Sequence, residues 1–272
     1  MNIFLNSFPK SGTNLVQKCL ELGGAKYSGR SLAASSGLGR YERVKKCLRG
    51  PCANEVPVEL GMEAPICVSP KWLCSYLRNA DGYVSGHAVF SDHLHKILIN
   101  REFNNIQVIR HPCAIWVSWA NYIAEAGYYW KTAHNFLKQK PFEERAHFLL
   151  YGGFLGDDSL FYRGFKDLFV RIQGWFESGH ALVVKYEDLV GSKGGGSDEQ
   201  QFRTISLIHD YIGNESSEAM IAGIASKLYG GTHTFRKGSI HGWKEAITDE
   251  MEAEIWDELS GIQFLNRLGY MR

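Results

Sequence analysis

Apolar side chains along the chain follow two alternating patterns, and the alternation predicts the architecture. Four short runs, Asn2 to Phe8, Gly82 to Ser85, Ile106 to Ile109 and Ala181 to Lys185, are rich in apolar, branched or aromatic residues and end in loop formers, as strands buried on both faces do. Elsewhere apolar positions recur every three or four residues. In Thr13 to Leu22 they are Leu15, Cys19 and Leu22, at i, i+4 and i+7, and Ala114 to Ala126, Lys166 to Glu177, Phe202 to Ile212 and Asp249 to Leu259 have the same helical period. Strands alternating with helices predict one α/β domain over residues 1–272, with a mostly parallel central sheet flanked by helices.

Two segments break the pattern. Ser28 to Asn54 has no clean period and combines glycines and serines with Arg30, Arg40, Arg43, Lys45, Lys46 and Arg49. It reads either as a basic flap over a site or as a solvated loop with a short charged helix. Gly191 to Gln201 is glycine-rich and lies between segments that the site needs together, so it is expected to be a mobile surface loop rather than a domain linker.

Composition narrows the partners. A 272-residue chain that is 44% hydrophobic and 13% aromatic has enough apolar surface to bury a core, which excludes general disorder. Thirty Lys and Arg against 29 Asp and Glu leave a net charge of +1. No global basic field attracts nucleic acid or a membrane surface, and any anion must be gripped locally. Six cysteines with no Cys-x-x-Cys pair suit a reducing, cytoplasmic setting. The chain opens without a basic head and apolar signal run, and no stretch reaches about 18 apolar residues, so a soluble protein with no membrane partner is expected.

Candidate chemistry clusters at strand ends. The first strand runs into Ser7-Phe8-Pro9-Lys10-Ser11-Gly12-Thr13-Asn14 and then a helix, so helix N-terminal N–H groups, a lysine and hydroxyls converge where a phosphate would sit. An isolated lysine is usually a solvated surface residue; the place of Lys10 between a strand end and a Ser-Gly-Thr helix start sets it apart. This is not a Walker A motif, because the lysine precedes the glycine and the first glycine is missing. Val108-Ile109-Arg110-His111-Pro112, followed by Ser118, puts an arginine at a strand's C-terminal end, where open α/β sheets bind ligands. Thr234-Phe235-Arg236-Lys237-Gly238-Ser239 combines adjacent cations with a glycine, suited to clamping a phosphate. Two separate anion sites suggest a nucleotide phosphorylated at two places.

Together with Tyr186-Glu187-Asp188-Leu189 and Trp243-Lys244, these blocks resemble the ordered motifs of the sulfotransferases that use 3′-phosphoadenosine 5′-phosphosulfate (PAPS) and release adenosine 3′,5′-bisphosphate (PAP), with residues 8 to 244 spanned. The resemblance implies that Lys10, Ser11, Gly12, Thr13 and Asn14 hold the 5′ side. It implies that Arg110, Ser118, Arg236, Lys237 and Gly238 hold the 3′ phosphate, that Tyr186 lies near the adenine, and that Ser226 makes a further contact. Tyr83-Val84-Ser85-Gly86-His87 is similar to the family's strand ending in a catalytic histidine, which makes His87 the expected base and Lys10 the group that stabilises the leaving oxygen. The ordinary reading of any one of ten histidines is structural; its strand-end position singles His87 out.

Departures from the pattern are equally specific. Leu15 stands where relatives often carry a tryptophan that stacks on adenine, Ser85 where many carry a lysine, and His241-Gly242 where Gly-Asp is usual. No metal is expected, since His93 and His95 do not share a helix face and lack a third ligand. The acceptor is expected to be a small organic molecule with a hydroxyl or amine. Tyr122, Tyr128, Tyr129, Trp130, Phe154, Phe161 and Tyr162 are candidates for its pocket, or simply core, and Asp157 and Asp158 either receive a cationic acceptor or face water. The short N-terminus resembles that of cytosolic and bacterial small-molecule members. The chain also resembles natural-product tailoring sulfotransferases, a group that includes enzymes acting on saxitoxin. The C-terminal motif through which some relatives dimerise is not evident, and no oligomeric state is assigned. Two other readings stay open: a P-loop small-molecule kinase, which needs magnesium and a strand-end carboxylate such as Asp188, and a non-catalytic nucleotide-binding module.

Overall fold

A computed structural model describes residues 2–33, 55–62, 66–78, 80–125, 131–155, 161–231 and 238–270. Its strands are β1 (Asn2–Ser7), β2 (Tyr27–Leu32), β3 (Val56–Pro57), β4 (Cys67–Val68), β5 (Gly82–Gly86), β6 (Asn104–Ile109), β7 (Gly152–Phe154), β8 (Phe161–Arg163) and β9 (Leu182–Lys185). Five of them form one parallel sheet in the order β2-β5-β1-β6-β9. β3 with β4 and β7 with β8 are short antiparallel pairs. The chain lays β2 and β5 on one side of β1 and then crosses to β6 and β9 on the other, so the carboxyl end of β1 lies at a topological switch point.

All four predicted strands are in this sheet, with ends shifted by one or two residues. β2 is a correction: residues 27–32 open the segment read as a flap over 28–54, yet they form the sheet's edge. Only Leu32 is fully buried there and the other five positions are half-buried or exposed, which hides an edge strand from a search for apolar runs. Residues 34–54 lie outside the described residues.

The predicted helices appear as Thr13–Leu22, Pro112–Glu125, Phe165–Glu177, Asp198–Tyr211 and Asp249–Glu258. The fourth starts four residues earlier than expected because Ser197 Oγ accepts the Gln200 N–H and caps it. This corrects the reading of Gly191 to Gln201 as a surface loop. It is a 3₁₀ turn, Ser192–Gly194, followed by the first helical turn, and the Asp198 carboxylate accepts from Ser192 N (2.8 Å) and Oγ (2.9 Å). Helices Pro70–Arg78, Asp92–Asn100 and Glu218–Leu228 were not predicted; Ser91 and Ser217 cap the last two.

Helices cover both faces of the sheet. Phe4 of β1 packs with Phe8, Trp119, Phe165, Phe169 and Trp175 on one side, while its neighbours Ile3 and Leu5 pack with Val16, Leu20, Ile205 and Ile208 on the other. Alternation along a strand buried on both faces requires this split. Among the described residues no helix is long and apolar enough to cross a membrane.

Candidate active site

The sheet register assembles the site. Asn6 pairs with Gly86, Ser7 with Val108 and Ile109 with Lys185, so the residues just past β1, β5, β6 and β9 emerge along one edge. These are the phosphate-type loop, His87, Arg110 and Tyr186. They border a cavity of about 540 Å³ whose lining includes Lys10, Gly12, Thr13, Asn14, His87, Arg110, Ser118, Tyr186 and Gly238. Arg236 and Lys237 lie outside the described residues.

The loop after β1 is bent by two left-handed residues. Gly12 has φ +101° and caps the helix Thr13–Leu22, with Leu15 N–H donating to its carbonyl at 2.9 Å. A Cβ there would stand 2.5 Å from the Tyr186 ring, so only glycine fits. Lys10 has φ +69°, uncommon for a residue with a side chain, and backbone outliers of this kind cluster at ligand clamps. Its ammonium sits 3.7 Å from the centroid of Tyr122, one turn past Ser118 on the helix Pro112–Glu125. Ser11 differs from expectation: its N–H donates to the Phe8 carbonyl, and its fully buried hydroxyl has no hydrogen-bond partner among the described residues and does not line the cavity.

Arg110 reaches back across the cavity. Its Nη2 donates to the Ser239 carbonyl at 3.0 Å, its guanidinium carbon lies 4.2 Å from the centroid of Tyr186, and its buried Nε has no hydrogen-bond partner among the described residues. The Tyr186 hydroxyl donates to the Gly238 carbonyl at 3.0 Å, so one tyrosine holds the loop after β1 and the loop at 238 together. Ser226 is the second misplaced residue: it lies on the exposed face of the helix Glu218–Leu228, and its hydroxyl donates to the Gly223 carbonyl. Tyr229, just past that helix, lines the cavity instead.

His87 is held by its backbone and by one ring nitrogen. Its N–H donates to Leu32 of β2, its carbonyl accepts from Leu60, and its Nδ1 lies 2.9 Å from the Ser7 carbonyl and 3.1 Å from Ser7 Oγ. A carbonyl only accepts, so Nδ1 carries the proton and Nε2 keeps a lone pair. Burial, with Lys10 nearby, holds the imidazole below the usual histidine range and therefore neutral. The next residue is fixed as firmly: Ala88 N–H donates to Asn6 Oδ1 (2.7 Å), and its carbonyl accepts from Asn6 Nδ2 (3.1 Å) and Trp175 Nε1 (3.0 Å).

Several site neighbours escaped the sequence reading. Asn6 and Ser7 read only as strand residues. Glu59 lines the cavity because Val56, Val58, Leu60 and Met62 are all buried, which sends the intervening side chains to the other face; that alternation was legible, its destination was not. Of the aromatics considered for an acceptor pocket, Tyr122 lines the cavity, Tyr162 is core, and Phe154 and Phe161 pack on each other in the exposed β7–β8 hairpin. Tyr128, Tyr129, Trp130, Asp157 and Asp158 lie outside the described residues.

No family model matches the chain, and no curated protein matches it by sequence. Solved structures do. The mouse sulfotransferase SULT7A1 complexed with PAP superposes with a TM-score of 0.60 at 15% identity, covering 99% of this chain and 89% of that one. Retinol dehydratase in a complex with retinol and PAP gives 0.57 at 15% identity, covering 97% and 81%, and the same enzyme with androsterone and PAP gives 0.55 at 16%, covering 96% and 81%. At this level of identity the likeness is one of architecture: the chain has the sulfotransferase fold over nearly its whole length.

Proposed function

We propose that this protein is a sulfotransferase that takes PAPS as donor and a small organic alcohol or amine as acceptor, releasing PAP. The observation that carries the reading is the pairing, in one cavity, of a strand-to-helix loop carrying Lys10 and Thr13 with a histidine whose Nδ1 is tied to the Ser7 carbonyl, which leaves Nε2 to accept a proton. The fold likeness to PAP-bound structures supports it.

The residues present fit the nucleotide. Lys10, Gly12, Thr13 and Asn14 would hold the 5′ side, where the first helical turn offers N–H groups. The Arg110 Nε, buried and without a partner among the described residues, fits a 3′ phosphate, with Ser118, Gly238 and, next in sequence, Arg236 and Lys237. Tyr186 and Tyr229 supply aromatic surface where Leu15 does not. PAPS, when bound, supplies an activated sulfuryl group. His87 Nε2 accepts the acceptor's proton, the Ser7 carbonyl keeps the ring in the tautomer that can do so, and Lys10 places positive charge beside the leaving oxygen. The proposed role is tailoring of a natural product in the cytoplasm. The kinase alternative has less support, since Asp188 does not line the cavity and the adjacent Glu187 accepts from His111 N–H (2.8 Å) and the Tyr270 hydroxyl (2.6 Å).

Thermal shift with PAP, AMP, ADP and magnesium ATP tests the assignment. Near 100 times its dissociation constant PAP should add about 2.7 kcal/mol. Arg110→Ala should abolish the preference for PAP over AMP. Stabilisation by magnesium ATP alone would replace the reading with a kinase.

A further inference from the structure

Two hydroxyls connect the histidine to the anion loop. Ser7 Oγ lies 3.1 Å from His87 Nδ1 and 2.5 Å from Thr13 Oγ1, and Thr13 borders the cavity. The Ser7 carbonyl at 2.9 Å makes Nδ1 a donor, and its N–H is shared between that carbonyl and Ser7 Oγ. Either hydroxyl of the Ser7–Thr13 pair can donate to the other; with Ser7 as the donor, the Thr13 proton is left for an acceptor in the cavity.

We propose that Ser7 and Thr13 are positioning residues that form a hydrogen-bonded link, through which an anion seated on the loop makes His87 a stronger base. This rests on the function proposed above. An anion accepting from Thr13 polarises Thr13, then Ser7, then the Nδ1–H bond, because hydrogen bonds in a buried chain reinforce one another. Electron density moves toward Nε2. The histidine is thus readied when the donor's 5′ side is in place, without any proton leaving the ring. Among the described residues, the charged groups that line the cavity with His87 are Lys10 on the loop, Glu59 beside the Leu60 N–H that bonds the His87 carbonyl, and Arg110 past β6. All three are unchanged in the variants that test the link.

The test is an NMR titration of the His87 ring nitrogens in the full chain, alone and saturated with PAP or with inorganic sulfate, in wild type, Ser7→Ala, Thr13→Val and Thr13→Ser. Ser7→Ala keeps the main-chain carbonyl, so the tautomer should persist and the link alone is cut. In wild type and Thr13→Ser either anion should raise the His87 pKa by about 1 unit. In Ser7→Ala and Thr13→Val the rise should fall to less than about half of that. An equal rise in all four proteins would mean that charge acts through space, and would overturn the link while leaving the sulfotransferase reading intact. Failure of PAP to bind while sulfate still raises the pKa through the hydroxyls would overturn the cofactor reading and keep the link; PAP bound with an unmoved pKa would overturn the link alone, and failure of PAP to bind with no response to sulfate would overturn both.

Discussion

At the scale of single residues, the proposed chemistry turns on which nitrogen of His87 holds its proton. If His87 is the base, protonation of Nε2 consumes the lone pair, and activity should be lost as pH falls through the His87 pKa. Burial and Lys10 hold that pKa below the ordinary 6.5. The acid limb of kcat/KM for the donor, which reports the free protein, should therefore lie below 6.5. A profile that starts to fall above pH 7 would contradict the burial argument. His87→Ala should cost about 10²- to 10⁴-fold in turnover and leave PAP affinity nearly unchanged, since a base acts in the transition state. Lys10 and His87 were both legible in the sequence as strand-end residues. Their supports were not: Ser7 and Asn6 meet His87 and Ala88 across 80 and 82 positions, and Tyr122 meets Lys10 across another helix.

At the scale of elements, the turn from β1 into its helix depends on the absence of a side chain. Gly12 combines φ +101° with a Cβ position 2.5 Å from Tyr186. Gly12→Ala should destabilise by more than about 1 kcal/mol. It should also weaken PAP binding, because the displaced ring carries the hydrogen bond to Gly238. Gly223 provides the contrast: it lies within the helix Glu218–Leu228 with open space around it and no positive φ. Gly223→Ala should raise stability by about 0.4–1 kcal/mol. Thermal unfolding of the two variants beside wild type decides whether the glycine at 12 is there for geometry or only tolerated. The same local logic explains what was misread. The polar edge strand β2 lacks an apolar run, and Ser226, read as a contact, faces away because Ile224, Ala225 and Leu228 take the buried side of its helix.

At the scale of the whole molecule, the C-terminal third is fastened to the site through His111, the residue after Arg110. Its ring stacks on Trp243 at 4.7 Å and meets Trp256 and Tyr270 edge-on at 5.6 and 5.7 Å. Burial, reinforced by Lys244, Arg110 and His241, pushes its pKa down to about 4. The folded pKa lies below the unfolded one, so the unfolded chain binds the proton more readily between them. This contribution to stability is complete above pH 6.5 and is lost as pH falls toward 4. Allowing for the ring's residual exposure, it is on the order of 2 kcal/mol. The melting temperature should drop across that window, and His111→Phe should flatten the drop; an unchanged slope would remove His111 as its cause. The sequence by itself determined what depends on neighbours in the chain: buried strands and amphipathic helices from their periods, and the strand-end motifs around Lys10, His87, Arg110 and Tyr186, whose chemistry is contained in consecutive residues. Tertiary structure alone decided what depends on register. Only the parallel pairing of Asn6 with Gly86 and Ser7 with Val108 brings the strand ends to one edge, sets Ser7 against His87 and admits Glu59 and Tyr229 to the cavity, because these contacts join residues far apart in sequence through hydrogen bonds that local pattern does not encode.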